Sequence, residues 1–140
     1  MTPLKIVVHH SATFDGPEYS WPAIWDYHVN HNGWLKIGYH AGIELVGTRP
    51  MLQLGRLWDE DGAHCLGYNS VALGFCFVGD YTHVPPSDAV LREGAQLIRF
   101  WMKLYNIGVE NVYAHRELNS TSCPGAAFPM DALKALLVTP

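Results

Sequence analysis

Val71 to Val78 reads VALGFCFV, eight residues without a charge, ended by Gly79-Asp80. A strand with one face in water alternates apolar and polar residues. A near-continuous apolar run bounded by turn residues belongs to a strand covered on both faces. Such a strand needs helices above and below the sheet, and the flanking sequence supplies them. Lys5 to His9 (KIVVH) is a second buried run, bounded by Pro3 and the polar Ser11 to Thr13. Tyr39 to Leu45 reads as a third strand, and Met51 to Trp58, after the Gly47 to Pro50 turn, as a fourth. Val109 to Ala114 reads as a fifth. Ser20 is placed to cap a helix reaching about Asn30, with Ile24, Tyr27 and His28 on one face and Asn32-Gly33 as its stop. Ser87, after Pro85-Pro86, caps a longer helix from Asp88 to Tyr105, where Leu91, Ile98, Met102 and Tyr105 recur at helical spacing. Met130 to Leu137 closes the chain as a short helix. Strands alternating with helices predict an α/β fold, a mixed central sheet covered by about three helices. With 140 residues, no internal repeat and no linker, the chain is expected to form one domain spanning 1–140.

Composition narrows the partners. Hydrophobic residues make up 49% and charged residues 16%, enough burial to offset chain entropy. A formal charge of −4 with no basic run argues against nucleic acid and against anionic membranes as partners. No stretch has the roughly 18 apolar residues of a membrane span. The N-terminal MTPLKIVV runs directly into a strand, without the pattern of a secretion signal, so the protein is expected to be cytoplasmic when synthesised and to stay there unless something else exports it; a monomer is expected. Cys65, Cys76 and Cys123 are odd in number, which favours free or metal-bound thiols over a disulfide framework.

Three metal donors sit at strand ends. His9 ends the first strand, His115 follows the last, and Cys123 lies eight residues further on in a loop with Asn119, Ser120 and Pro124. Sites in open α/β sheets form beyond the carboxyl ends of the strands, so these three converge if the two strands are parallel neighbours. Two imidazoles and a thiolate suit zinc and leave a fourth position for water. By spacing alone, two core histidines and a buried thiol remain an open reading. Cys76, among Phe75, Phe77 and Val78, is read as a small buried hydrophobe, and Cys65, in the Asp59 to Asn69 loop, as an exposed free thiol. Neighbouring strand residues face opposite sides, so only one of His9 and His10 can join the cluster.

The segments VVHHSAT (Val7 to Thr13), GWLKIGYHAGI (Gly33 to Ile43), GAHCLGYNSVALGFCFVGDY (Gly62 to Tyr81) and AHRELNSTSCPG (Ala114 to Gly125) occur in that order over nearly the whole chain. Together they resemble the N-acetylmuramoyl-L-alanine amidase family, which includes phage lysis amidases and peptidoglycan recognition proteins. The resemblance implies that fold, and zinc held by His9, His115 and Cys123. It also implies a catalytic Tyr39, whose hydroxyl reaches the zinc water or the oxyanion of a tetrahedral intermediate. Thr121 falls where phage enzymes often carry lysine and catalytic recognition proteins carry threonine; its hydroxyl would serve the same developing charge. His64, Asn69 and Trp34, with Trp58, fall where the family lines its glycopeptide groove. Some bacterial relatives place a glutamate after the central strand as general base; here the stretch Phe75 to Asp80 has none, and Glu117 is left as a supporting residue.

The activity so implied is zinc-dependent hydrolysis of the amide between N-acetylmuramic acid and L-alanine in peptidoglycan, as in a phage or prophage endolysin released through a permeabilised membrane. A non-catalytic peptidoglycan-binding module and a cytoplasmic muropeptide-recycling amidase are the alternatives. Recognition proteins without activity typically lose the cysteine that this chain keeps as Cys123.

Overall fold

The computed structural model describes residues 1–140. Its strands are β1 (Lys5–His10), β2 (Ala41–Val46), β3 (Arg49–Leu54), β4 (Ala72–Phe77) and β5 (Val112–Ala114), and its helices are α1 (Trp21–Asp26), α2 (Asp88–Tyr105) and α3 (Met130–Val138). They form one five-stranded sheet in the order β3-β2-β4-β1-β5. β2, β4, β1 and β5 run parallel, and β3 returns antiparallel along β2. The mixed α/β sheet expected from the pattern is therefore present, with the VALGFCFV run at its centre and every β4 residue buried.

The two faces of the sheet differ in side-chain size, and that difference places the site. Ile6 and Val8 of β1, Leu73, Phe75 and Phe77 of β4 and Val112 of β5 join the main core with Ile98 and Trp101 of α2 and Leu133 and Leu137 of α3. The opposite face carries Val7 and His9 of β1, Gly42 of β2 and Gly74 and Cys76 of β4 at the alternate positions. Small residues here let other groups approach the sheet closely. A Cβ on Gly42 would meet the Trp21 ring, and one on Gly74 the His64 ring.

α2 has the bounds that its periodicity predicts. Ser87 Oγ accepts the Val90 N–H at 3.3 Å, and Asn106 ends the helix in the left-handed conformation that asparagine tolerates. α1 is shorter than expected, continuing as one wider π turn over Tyr27–His31. Its cap also differs. The Ser20 hydroxyl makes no capping bond; the buried Glu44 of β2 accepts the Trp21 N–H at 2.7 Å instead and holds Gln53 Nε2 at 3.0 Å. A carboxylate from the sheet thus fastens the helix start to the fold.

Other boundaries shift for tertiary reasons. The third strand starts at Ala41 rather than Tyr39. The fourth spans Arg49–Leu54, pairing residue for residue with β2 from Val46↔Arg49 to Ala41↔Leu54 and ending where its partner runs out. Val109–Asn111 is a 3-10 turn closed by Asn111 N–H on Gly108 O, so the fifth strand is only Val112–Ala114. No helix is long and apolar enough to cross a membrane.

Candidate metal centre

β1 lies between β4 and β5, parallel to both, so the carboxyl ends of β1 and β5 emerge side by side. His9 is buried on the small-residue face near the end of β1, and His115 opens the 3-10 turn after β5. The chain then curls back, with Arg116 N–H on Cys123 O, and brings Cys123 to the same point. One ligand atom from each of His9, His115 and Cys123 lies within 4.8 Å of the others. His10 points to the other face, where its Nδ1 accepts the Tyr81 N–H at 3.2 Å. Its backbone N–H donates to Cys123 Sγ at 3.4 Å.

The donor set fits zinc. His9 Nδ1 lies 3.7 Å from Cys123 Sγ. Tetrahedral zinc, with its usual nitrogen and sulfur bond lengths, separates two such donors by about 3.6 Å. Burial, and then the neighbouring His64, His115 and His10, hold His9 well below the usual imidazole range, so it is neutral and offers a lone pair. Burial pushes the Cys123 thiol up to about 11, against the opposing pull of the His10 N–H and Arg116. The metal-free thiol is therefore protonated at neutral pH, and loading a metal must release that proton.

Asn119 and Glu117 support the cluster, and only Glu117 was expected to from sequence. Asn119 Nδ2 donates to the carbonyls of Leu66 and Leu118, which turns Oδ1 toward His115 Nε2 at 2.9 Å. An amide oxygen only accepts, so Nε2 is the donor nitrogen of His115, and the tautomer selected for the neutral ring is the one with Nδ1 bare. The same oxygen takes the Cys65 thiol at 3.3 Å. Glu117 accepts the Ala114 N–H at 2.6 Å and braces the turn below His115.

Tyr39 precedes β2, its ring centroid 5.2 Å from that of His9. Burial raises its hydroxyl well above the usual phenol range, and the Cys76 and Cys123 thiols push the same way, so it stays a donor. Tyr39, Ser11, Thr13, Ile24 and His28 line a cavity of about 460 Å³ against α1. His28 was not among the site residues singled out in sequence; its Nδ1 accepts the Gly38 N–H at 3.0 Å. A larger concavity of about 540 Å³, beside α2 and the last residues, is lined by Arg92, Arg99, Lys103, the polar Gln96 and Thr139 and apolar side chains, with no histidine or cysteine, and lies apart from these donors.

The remaining candidates fall in varied places. Thr121 is exposed, its Oγ1 accepting the Cys123 N–H at 3.2 Å. Asn69 Oδ1 takes the backbone N–H groups of His64 and Cys65 at 2.8 and 2.9 Å, folding the loop on itself. His64 lies beside His9, with Nδ1 at 2.9 Å from His9 Nε2 and Nε2 at 3.1 Å from Ala72 O. Trp34 stacks at a tilt on His28, centroids 4.7 Å apart. Trp58, expected as a groove platform, packs instead edge-on against Trp101 and Phe100, because the chain after β3 crosses to the α2 side. Cys65, expected to be exposed, is buried with Val7 and Ala72, since the Asn69 turn draws its backbone inward. Cys76 is buried beside Trp21 and Val78, as its strand position predicts.

Known proteins resemble this chain in sequence and in fold. A sequence profile of the N-acetylmuramoyl-L-alanine amidase family matches residues 1–126. The human N-acetylmuramoyl-L-alanine amidase is 37% identical over 116 residues, which cover 81% of this chain and 19% of the human protein. The chain thus spans about a fifth of that protein's length and about half that of a second curated relative, the Drosophila melanogaster peptidoglycan-recognition protein LB. The endolysin N-acetylmuramoyl-L-alanine amidase LysCS from Clostridium intestinale URNW superposes with a TM-score of 0.84 at 29% identity, covering 99% of this chain and 86% of that one. A mutant of Drosophila PGRP-LB in complex with tracheal cytotoxin superposes at 0.77 with 28% identity, covering 91% and 79%. By profile, sequence and fold together, the chain belongs to the N-acetylmuramoyl-L-alanine amidase family.

Proposed function

We propose that the protein hydrolyses the amide joining N-acetylmuramic acid to the first L-alanine of the peptidoglycan stem peptide. The observation that carries this reading is the convergence of His9, His115 and Cys123 at the carboxyl ends of two parallel strands, beside a cavity that includes Tyr39. His9, His115 and Cys123 would hold zinc, which would supply Lewis-acid polarisation of the scissile carbonyl and activation of water. The chain's own groups supply the rest. Tyr39, kept protonated by burial, donates a hydrogen bond to the oxygen that gains charge as the carbonyl becomes tetrahedral. Thr121, on the rim beside Cys123, is the second hydroxyl proposed to serve that charge. The cavity against α1 is wide enough to seat part of a glycopeptide and hold its amide near His9.

Likeness to an endolysin over nearly the whole chain supports a role in wall lysis, with the enzyme made in the cytoplasm and meeting peptidoglycan once the membrane is opened. Purified sacculi digested with the protein should release stem peptides with a free L-alanine amine, read by mass spectrometry. Chelation should stop release and zinc restore it, and Cys123→Ala should release none. Sacculi that bind the protein without any release would make it a recognition module, and activity confined to soluble anhydro-muropeptides would make it a recycling enzyme.

A further inference from the structure

Resting on the metal-site reading above, we infer that His64 is a positioning residue that fixes which nitrogen His9 presents to the metal. The chain of contacts starts at a group that has only one role open to it. The Ala72 carbonyl oxygen only accepts, so His64 Nε2, 3.1 Å away, carries the proton. A neutral imidazole has a single N–H, which leaves His64 Nδ1 bare. That atom lies 2.9 Å from His9 Nε2, so the His9 proton is on Nε2 and is donated to His64. His9 Nδ1 is then the free lone pair, and it is the nitrogen that faces Cys123 Sγ. The order Ala72 carbonyl, His64, His9, metal is the outer-shell support that orients a ligating imidazole and raises its basicity.

The fold makes room for this ring specifically. A Cβ on Gly74 would come within 2.6 Å of the His64 ring. One on Gly62 would also meet it. His40 stands edge-on to the ring with centroids 5.6 Å apart, and is itself tied down by the Gly74 N–H and the Glu60 carbonyl. With both nitrogens of His64 engaged inside the protein, neither is free for a substrate in the groove.

The test uses the full chain, labelled with 15N, and long-range 1H–15N correlation before and after zinc is added. The relay requires the His9 proton on Nε2 in both states and the His64 proton on Nε2. A proton on His9 Nδ1, or on His64 Nδ1, overturns it even if zinc binds normally. Failure of the wild-type chain to take up zinc would instead remove the metal reading, while the zinc-free spectrum still decides the proton positions. Two polar variants add a second measurement. Asparagine at position 64 presents its oxygen near the place of Nδ1, whereas glutamine presents its amide near Nε2. In chelator competition, His64→Asn should bind zinc within a few-fold of wild type, and His64→Gln should bind roughly 10- to 100-fold more weakly. Equal affinities in the two variants would count against the relay.

Discussion

Asn119 Oδ1 lies 2.9 Å from His115 Nε2, and the two bonds from Asn119 Nδ2 to the Leu66 and Leu118 carbonyls allow the amide no other orientation. One side chain thereby joins the Asp59 to Asn69 loop to the Cys123 loop and sets the proton position of a candidate ligand. Removing it with Asn119→Ala should weaken zinc binding by roughly 10- to 100-fold, as loss of such a partner does elsewhere. Competition against a chelator of known affinity measures this, and an unchanged dissociation constant would show that His115 needs no such partner.

Tyr39 is held protonated by burial, so its contribution is a donated hydrogen bond rather than a charge. Tyr39→Phe keeps the ring that packs near His9 and Trp21 and deletes only the donor. We expect kcat on sacculi to fall by about 10²- to 10³-fold, the usual effect of losing one oxyanion donor, with zinc stoichiometry unchanged. Turnover at the wild-type rate would assign the oxyanion to another group.

Gly74 is the floor on which the His64 ring lies. In Gly74→Ala the new methyl meets atoms of the His64 ring at 2.6 to 2.8 Å, and that ring is held on both sides by His9 and the Ala72 carbonyl. Overpacking of this kind costs about 1–3 kcal/mol. Gly16→Ala, with nothing within 4 Å of its Cβ, is the control. Urea unfolding of both, in chelator, should show a lowered midpoint for Gly74→Ala alone.

Buried neutral histidines make the metal-free protein acid-sensitive. Burial, and then the charge of His40, pushes His64 down to about 3, and burial lowers His40 as well. In the unfolded chain these imidazoles titrate near 6.5. Between the folded and unfolded values the unfolded state binds more protons, so stability is complete above about pH 6.5 and is lost as pH falls below it. For His64, whose window reaches down to about 3, the loss approaches about 1.4 kcal/mol per pH unit within it; His40 acts in the same direction. Unfolding free energies measured in chelator from about pH 7.5 to about pH 4.5 should decline with that sense. A flat profile would show that the histidines protonate within the fold.

Sequence by itself determined what depends on neighbours in the chain. The VALGFCFV run is buried on both sides wherever it folds, and Ser87 with the α2 periodicity set that helix to the residue, because caps and apolar stripes act within a few residues. The motifs at His9, Tyr39, His115 and Cys123 were legible as residues. Tertiary structure alone decided that three of them meet, because that needs β1 and β5 to be parallel neighbours although far apart along the chain. It also gave Glu44 the capping task expected of Ser20, buried Cys65, and sent Trp58 to the α2 side. His64 shows the reason most clearly. An imidazole has two different nitrogens, and what each does depends on the atom opposite it; here those atoms belong to His9 and Ala72, which no local pattern pairs with it.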